Sequence, residues 1–428
     1  MHSSQRFYFV VVLVFLALPA SFATAQQDGI KKPTTQKASA DWTQWRGPNR
    51  DGKISAVWPD SLNPEILKKS WTTPMGPSYS GPLLIGDYVY VTETRDSKYE
   101  VVQALNRKDG TIAWTAQWEG AMRVPFFASA NGSWIRSTPT YNDGKLYVAG
   151  MRDVIVCLDA KKGDILWKVD FPKQTGSAVP SFGFVCSPLV DGDHVYVQAG
   201  GALTKLDKKN GNIVWQGIKD GGGMNGGAFS SPVIATIAGK RQGVVLTRNN
   251  LCGIDLSNGN ALWQMPIKAF RGMNILTPTV FGDNVFTSTY GGTTQLINVV
   301  SSGGSGGLQA SEKWNVASQG YMTSPVIVND HAYIHLKNQR FACFDLKAGV
   351  EKWRSKTFGK YSSLIAAGDK ILALDQRGEL LLIKANPEEF ELLDRRKVGD
   401  DSWAHIAVSG KDVVVRDLKE VSLFKWGQ

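Results

Sequence analysis

Histidine and cysteine are both scarce in this chain, with five and four among 428 residues. The histidines are His2, His194, His331, His335 and His405. His331 and His335 have i,i+4 spacing but lie on a strand pattern, which does not make the helical zinc pair. Neither an H-E-x-x-H motif nor a serine-nucleophile elbow is present. No two cysteines are adjacent and no C-x-x-C occurs. Cys157 and Cys343 each precede a repeated Asp by two residues inside apolar strand patterns, and Cys252 precedes Asp255 by three. Such positions do not meet at disulfide distance, so the cysteines are expected to be small buried hydrophobes. Glycine has no triplet period, which excludes collagen. Beyond the N-terminus no apolar run is long enough for a membrane helix. Catalysis by the familiar hydrolytic constellations is therefore excluded.

The N-terminus carries the one apolar run, Phe7 to Leu18, after His2 and Arg6 and before Pro19. Ala23-Thr24-Ala25 supplies small residues at cleavage spacing. This pattern predicts a signal peptide over 1–25. Its loss removes Arg6 and no acidic residue, so the formal charge falls from +10 to +9. No Cys lies near the cleavage site, so a lipid anchor is not expected. Residues 26–40 are polar and predict a flexible linker. Export to the periplasm or medium follows, without membrane insertion.

What is abundant is glycine, 44 residues, and tryptophan, 14. Both recur by rule. The unit is Ser/Thr-Pro, a Gly/Asp turn, a Val-Tyr-Val-like strand, Leu-x-Asp, a Gly turn and a closing Trp. One copy reads Ser137-Thr138-Pro139, Asp143-Gly144, Leu146-Tyr147-Val148, Leu158-Asp159, Gly163, Trp167. The closing tryptophans are Trp71, Trp114, Trp167, Trp215, Trp263, Trp314 and Trp353, spaced by 43, 53, 48, 48, 51 and 39. Leu393 takes the position 40 residues later. Each interval fits four short alternating strands, which is the arithmetic of a β-propeller. First strands near Ser80, Ser137, Cys186, Ser230, Thr277, Thr323, Ser362 and Ser402 make eight blades. The last lacks room for a fourth strand, and Ile66 to Trp71 is a surplus one. The expectation is an all-β, eight-bladed propeller over 41–428, of four-stranded antiparallel blades, with that N-terminal strand closing the last blade.

The repeat, most clearly Ala104-Leu-Asn-Arg-Lys-Asp-Gly-Thr-Ile-Ala-Trp114, resembles the quinoprotein (PQQ-like) repeat family over roughly residues 60–428. Asp41-Trp-Thr-Gln-Trp-Arg-Gly-Pro-Asn-Arg-Asp-Gly52 resembles the leading segment of exported PQQ-like proteins common in planctomycete-type bacteria. The resemblance implies two precedents. One is the PQQ-dependent alcohol and sugar dehydrogenases; the other is the BamB-type scaffold lipoproteins, from which this chain departs by lacking a lipidated Cys. The alcohol-oxidising enzymes set an adjacent cysteine pair against the cofactor and hold calcium with acidic and Asn ligands. This chain has no such pair, and Asp400 and Asp401 alone are a poor calcium set. No cofactor is expected; PQQ and calcium belong to the alternative of a divergent oxidoreductase.

Connections after fourth strands (D–A) and between second and third strands (B–C) share one rim, and the D–A loops are the long ones. The Gly221–Gly227 run lacks the Lys-Ser/Thr and helix of a phosphate loop. Six B–C turns carry an arginine: Arg95, Arg152, Arg248, Arg340, Arg377 and Arg416. A ring of guanidiniums there would favour carboxylate or phosphate. The competing account is solvated turn arginines beside Asp96, Asp153, Asp375 and Asp417. Trp134 and Trp403 fall in or beside D–A loops, where a ring can stack on a ligand or anchor the loop. His405 begins the first strand of blade eight and is the one histidine that could face the mouth. The opposite rim mixes Lys and Asp, which reads as solubility and excludes a nucleic-acid stripe. The expected protein is a monomeric, non-catalytic propeller that binds a protein or anionic polymer on the D–A/B–C rim.

Overall fold

A computed structural model describes residues 41–220, 226–303 and 307–427. The signal peptide and linker expected over 1–40, and Gly221 to Asn225 of the glycine run, lie outside the described residues. Eight sheets of four antiparallel strands follow one another in chain order and form an eight-bladed propeller, one of them extended by the short parallel strand Lys53–Ile54. Blade one runs through strands Leu83–Ile85, Tyr88–Arg95, Tyr99–Asn106 and Ile112–Glu119. Strand Leu67–Pro74 is the fourth strand of blade eight, antiparallel to Glu420–Trp426 with Trp71 opposite Leu423. The N-terminal strand therefore closes the ring.

Two details differ from the sequence reading. Only the outer strands alternate. In blade two, Lys145–Gly150 and Val154–Asp159 are buried on both faces, while Ile165–Asp170 is exposed or half-buried except at Val169. Blades stack face to face, so inner strands have no wet side. The first strands also begin later than expected: Leu83, Thr140, Leu189, Val233, Thr279, Val326 and Ala407, with Ser362 alone as expected. The Ser/Thr-Pro pair stands ahead of the strand because proline has no N–H to give to a ladder.

That pair bonds sideways instead. The N–H of Gly81 donates to Thr138 Oγ1 (2.9 Å), Thr138 N–H to Ser187 Oγ (3.1 Å) and Ser187 N–H to Ser231 Oγ (2.9 Å). Ser231 N–H donates to Thr277 Oγ1 (2.9 Å) and Thr277 N–H to Ser324 Oγ (3.0 Å). One hydroxyl per blade thus ties the next around the axis, from blade one to blade six. At the periphery the closing tryptophans do the same. Trp71, Trp114 and Trp167 donate Nε1–H to the carbonyls of Arg107, Ala160 and Lys208 in the following blade. Their rings cover the turn glycine there; a Cβ on Gly110, whose φ is +77°, would sit 2.6 Å from the Trp71 ring. These tryptophans are packing residues, as their recurrence implied. All four cysteines are buried and free. Among the described residues no helix is long and apolar enough to cross a membrane.

Candidate functional site: the plugged channel and the upper face

The segment before the ring does not lie outside it. Trp42 exchanges backbone hydrogen bonds with Leu84 of blade one, and Thr43 carbonyl accepts from Tyr141 N–H of blade two. Lys53–Ile54 pairs in parallel with Ala366 and Ala367 of blade seven. These contacts fall at the lower ends of the innermost strands, away from the D–A loops. Between them the chain rises into the axial channel and closes it. Arg50 donates to the carbonyls of Ser187 (3.0 Å) and Pro188 (2.8 Å) in blade three, and Arg46 to Pro325 carbonyl in blade six. Both arginines have left-handed backbone, φ 60° and 57°, a strained state held by these ties. Their guanidiniums lie 5.4 and 5.5 Å from the Trp45 ring.

Above this plug is a central cavity of about 190 Å³ opening to the D–A side. Every blade contributes to its wall. Trp45 forms the floor beside His405 (ring centroids 5.3 Å, 77°). Trp403 stacks on Tyr79 (4.3 Å, 9°) and leans on Tyr361 (4.1 Å). Arg136 reaches the cavity while donating to the carbonyls of Trp134 (3.2 Å) and Gly132 (2.9 Å). Among the described residues no Asp or Glu lines it. Burial lowers Arg46 and Arg136 to about 10 and Arg50 to about 9, so all three remain cationic at neutral pH. Burial, with Arg46 nearby, pushes His405 down to about 3. It is neutral there and makes no cation for a ligand.

The six turn arginines, expected as a broken ring, do not share one environment. Arg416 is 1% exposed and donates to the carbonyls of Thr92 and Gly76, tying blade eight to blade one. Arg248 is 4% exposed, donates to Arg271 carbonyl (2.7 Å) and lies over Phe229 at 4.9 Å. Arg340 donates to Ser355 carbonyl (2.6 Å), and Arg95 pairs with Glu93 (2.5 Å). Arg152 and Arg377 stand exposed. The neighbouring acids do not pair with these arginine side chains as the competing account supposed. Asp375 and Asp417 accept turn amides, and Asp153 accepts Gly200 N–H (2.8 Å). Trp134 abuts Tyr79 edge-on (5.3 Å) and Arg136 holds its carbonyl, a loop-anchoring place outside the cavity wall. Trp403 and His405 line the cavity. Sequence reading missed Trp45, Arg46, Arg50 and Arg136. The signal for the first three was the aromatic-basic content of Trp45-Arg46-Gly47-Pro48-Asn49-Arg50; Arg136 carried none.

Beside the cavity, the same face bears an exposed aromatic ridge. Phe126 is 88% exposed, Phe127 52% and Phe270 46%. Phe127 touches Phe182, which touches Phe229. Phe127, Phe182, Arg248, Phe270, Arg271 and Met273 wall a groove of about 800 Å³.

A family model described as "Outer membrane protein assembly factor BamB" matches residues 98–355, more than half of the chain. The chain belongs to this PQQ-like repeat family. BamB of Moranella endobia is 22% identical over 335 residues, covering 75% of this chain and 79% of that protein. Polyvinylalcohol dehydrogenase of a Sphingopyxis species is 28% identical over 200 residues, 43% of this chain; the match spans 29% of that enzyme. The crystal structure of BamB from Moraxella catarrhalis superposes with TM-score 0.59 at 15% identity, over 85% of this chain and 98% of that one.

Measured against the enzyme precedent, the cavity does not suit a calcium-held quinone. Calcium takes six to eight oxygen ligands, rich in carboxylate, and among the described residues no carboxylate lines the wall. Asp401 accepts from Gln376 Nε2 (3.0 Å), and Asp400 pairs with Lys397 (3.3 Å); neither reaches the wall. Among the described residues no three His, Cys, Asp or Glu cluster for a metal.

Proposed function

We propose that this BamB-type propeller is an exported, non-catalytic scaffold that docks a protein partner on its upper, D–A/B–C face. The observation that carries this reading is the exposed ridge of Phe126, Phe127 and Phe270 over the Phe182 groove. Large contiguous apolar surface is retained on a soluble face when something covers it. Aromatic rings with arginines nearby are the composition of interface anchors. Arg152 and Arg377 add positive charge to the same side, which favours an acidic partner surface. The kinship with BamB, named an assembly factor, points the same way, and the periplasm is the matching compartment. A monomer suffices for this role.

The alternative is a PQQ-dependent oxidoreductase with a divergent site. Its one support is the partial likeness to polyvinylalcohol dehydrogenase together with the aromatic walls of the cavity.

A photo-crosslinking amino acid at Phe127 or Phe270, in the exporting cell, tests the scaffold reading. Crosslinks to a defined protein should form from these positions and not from Lys162 or Lys209 on the opposite rim. Equal crosslinking from both rims, or none from either, would reject the upper face as the docking side.

A further inference from the structure

The groove beside the aromatic ridge is distinct from the central cavity. Phe127, Arg248, Asn249, Phe270 and Arg271 wall the groove and take no part in the cavity lining. Three features of it point one way. The first is a strained turn that presents a ring and a cation together. Within Phe270–Gly272, Arg271 is left-handed, with φ 50°. Arg248 Nη2–H donates to the Arg271 carbonyl (2.7 Å), and Asn274 N–H to that of Gly272 (2.9 Å). Gly272 is left-handed too, and a Cβ there would stand 3.1 Å from Arg248 Nε. Strain of this kind persists where neighbours over-determine it, as in ligand clamps. What the turn holds outward is Phe270, 46% exposed, with the Arg271 guanidinium 5.2 Å from its ring.

The second feature is charge. Among the described residues no Asp or Glu lines the groove, and neither guanidinium has a carboxylate at ion-pair distance. Asp220 accepts the backbone N–H of Arg248 (3.2 Å) and acts on its side chain only through the field. Arg248 is 4% exposed, and its Nη1–H is buried without a partner. The third feature is shape. About 800 Å³ lies between Phe127 of blade one, Phe182 of blade two and the Phe270 turn of blade four. A concavity of that size encloses a ligand of drug size, and a flat protein face would leave it unfilled.

We propose that the groove receives a short extended segment of the partner, with a large apolar anchor flanked by carboxylates. The proposal rests on the docking reading above. Successive side chains of an extended chain point to opposite sides. The anchor therefore enters between Phe127, Phe182 and Met273, while its neighbours stay at the rim, where Arg271 stands exposed. A guanidinium there takes a carboxylate in paired hydrogen bonds. Asn131 and Asn249 on the wall bring amide donors and acceptors for the backbone between. Arg248 is a positioning residue, since it fixes the turn that carries Phe270 and Arg271.

The probe is a fluorescein-labelled, amidated pentapeptide alternating Glu and Phe, with Glu at both ends, read by anisotropy. Its analogues carry Gln for Glu, or Ser for Phe. The Glu–Phe peptide should bind at least about tenfold more tightly than either analogue. Arg271→Gln should erase the preference over the Gln form and leave that over the Ser form. Phe127→Ala with Phe270→Ala should erase the second preference. The three peptides on the unaltered protein decide the matter even if a variant does not fold. Equal binding of the Glu and Gln forms, or no binding of any peptide, would overturn the proposal. So would sedimentation with phosphatidylglycerol vesicles that Phe127→Ala abolishes, without peptide binding, which would make the groove a lipid site. Crosslinks from Phe127 in the cell without peptide binding would keep the docking face and reject the acidic segment. Peptide binding without crosslinks would keep the chemistry of the groove and reject the scaffold reading.

Discussion

The Trp45 ring meets His405 edge-on, with centroids 5.3 Å apart and planes at 77°. One residue comes from the segment before the ring, the other from its last blade, 360 positions later. The contact shows how the channel is finished: repeats build the wall, and a non-repeating stretch supplies the floor. Burial there, with Arg46 nearby, holds His405 toward its neutral form.

Closure of the ring makes the first prediction. Trp71 is 8% exposed, donates to Arg107 carbonyl (2.9 Å) and covers Gly110 in blade one. It lies on the strand that completes blade eight, so it joins the two ends of the chain's ring. Trp71→Ala should cost about 3–5 kcal/mol, the range for a buried aromatic truncation. Chemical denaturation read by fluorescence and by circular dichroism should show one transition at a lower midpoint. An unchanged midpoint would remove the closing strand from the stability of the whole.

A second prediction concerns pH. Glu100 is fully buried between blades one and two, with Thr94 Oγ1 (3.3 Å) and Met151 N–H (3.4 Å) as donors and Arg136 in its field. Burial raises it to about 7, and it raises Asp153 to about 7 also. Between the ordinary carboxylate range and pH 7 the folded protein holds these protons while the unfolded chain has released them. Stability from this source is therefore full in acid and lost as pH rises toward 7. His405 works oppositely: the unfolded chain takes a proton near 6.5 that the folded protein refuses until about 3, so stability falls as pH drops below 6.5. Glu100→Gln should gain on the wild type by a few kcal/mol, in order of magnitude, between pH 5 and 7.5. Melting temperatures at the two pH values check it; a constant gap contradicts the buried-acid account.

The architecture was legible because its causes are local and repeated. Each closing Trp needs a glycine under it in the next blade, and each Ser/Thr-Pro pair needs a neighbour to bond, so both recur at blade spacing. Strand Leu67–Pro74 could be placed because eight blades counted one strand short. The channel plug was not legible. Asp41 to Ile54 has no period, and its contacts reach Leu84, Tyr141, Pro188, Pro325 and Ala366, partners no spacing rule connects. The same limit explains Arg248 and Arg416. A turn position fixes the rim of a residue but not whether its side chain turns inward to carbonyls left bare at a blade junction.

Chemistry makes the third prediction. With PQQ and calcium added, and an artificial electron acceptor, the protein should oxidise neither alcohols nor sugars. Among the described residues the cavity wall has no carboxylate to hold the metal or take a substrate proton. Saturable turnover that a chelator abolishes would favour the oxidoreductase over the scaffold.

The arginines of the B–C turns give the last prediction, because the structure divides six equivalent positions into different physical classes. Arg416 is enclosed, and Arg416→Gln leaves the carbonyls of Thr92 and Gly76 without their donors at the junction of blades eight and one. Each buried acceptor left bare costs about 1–3 kcal/mol, so a clear fall in melting temperature is expected. Arg152→Gln and Arg377→Gln remove exposed charges and should stay within about 0.5 kcal/mol of the parent. If the upper face docks an acidic partner, the Arg152/Arg377 double variant should nonetheless lose crosslinking from Phe127, and a binding rate should fall more at low than at high salt. The control is Lys108→Gln with Lys161→Gln on the opposite rim, which changes net charge equally. Loss in the first pair alone locates the partner's charge over the upper mouth. Equal behaviour of the two pairs would mean that Arg152 and Arg377 are merely solvated, and that the aromatic ridge, if it docks anything, does so without them.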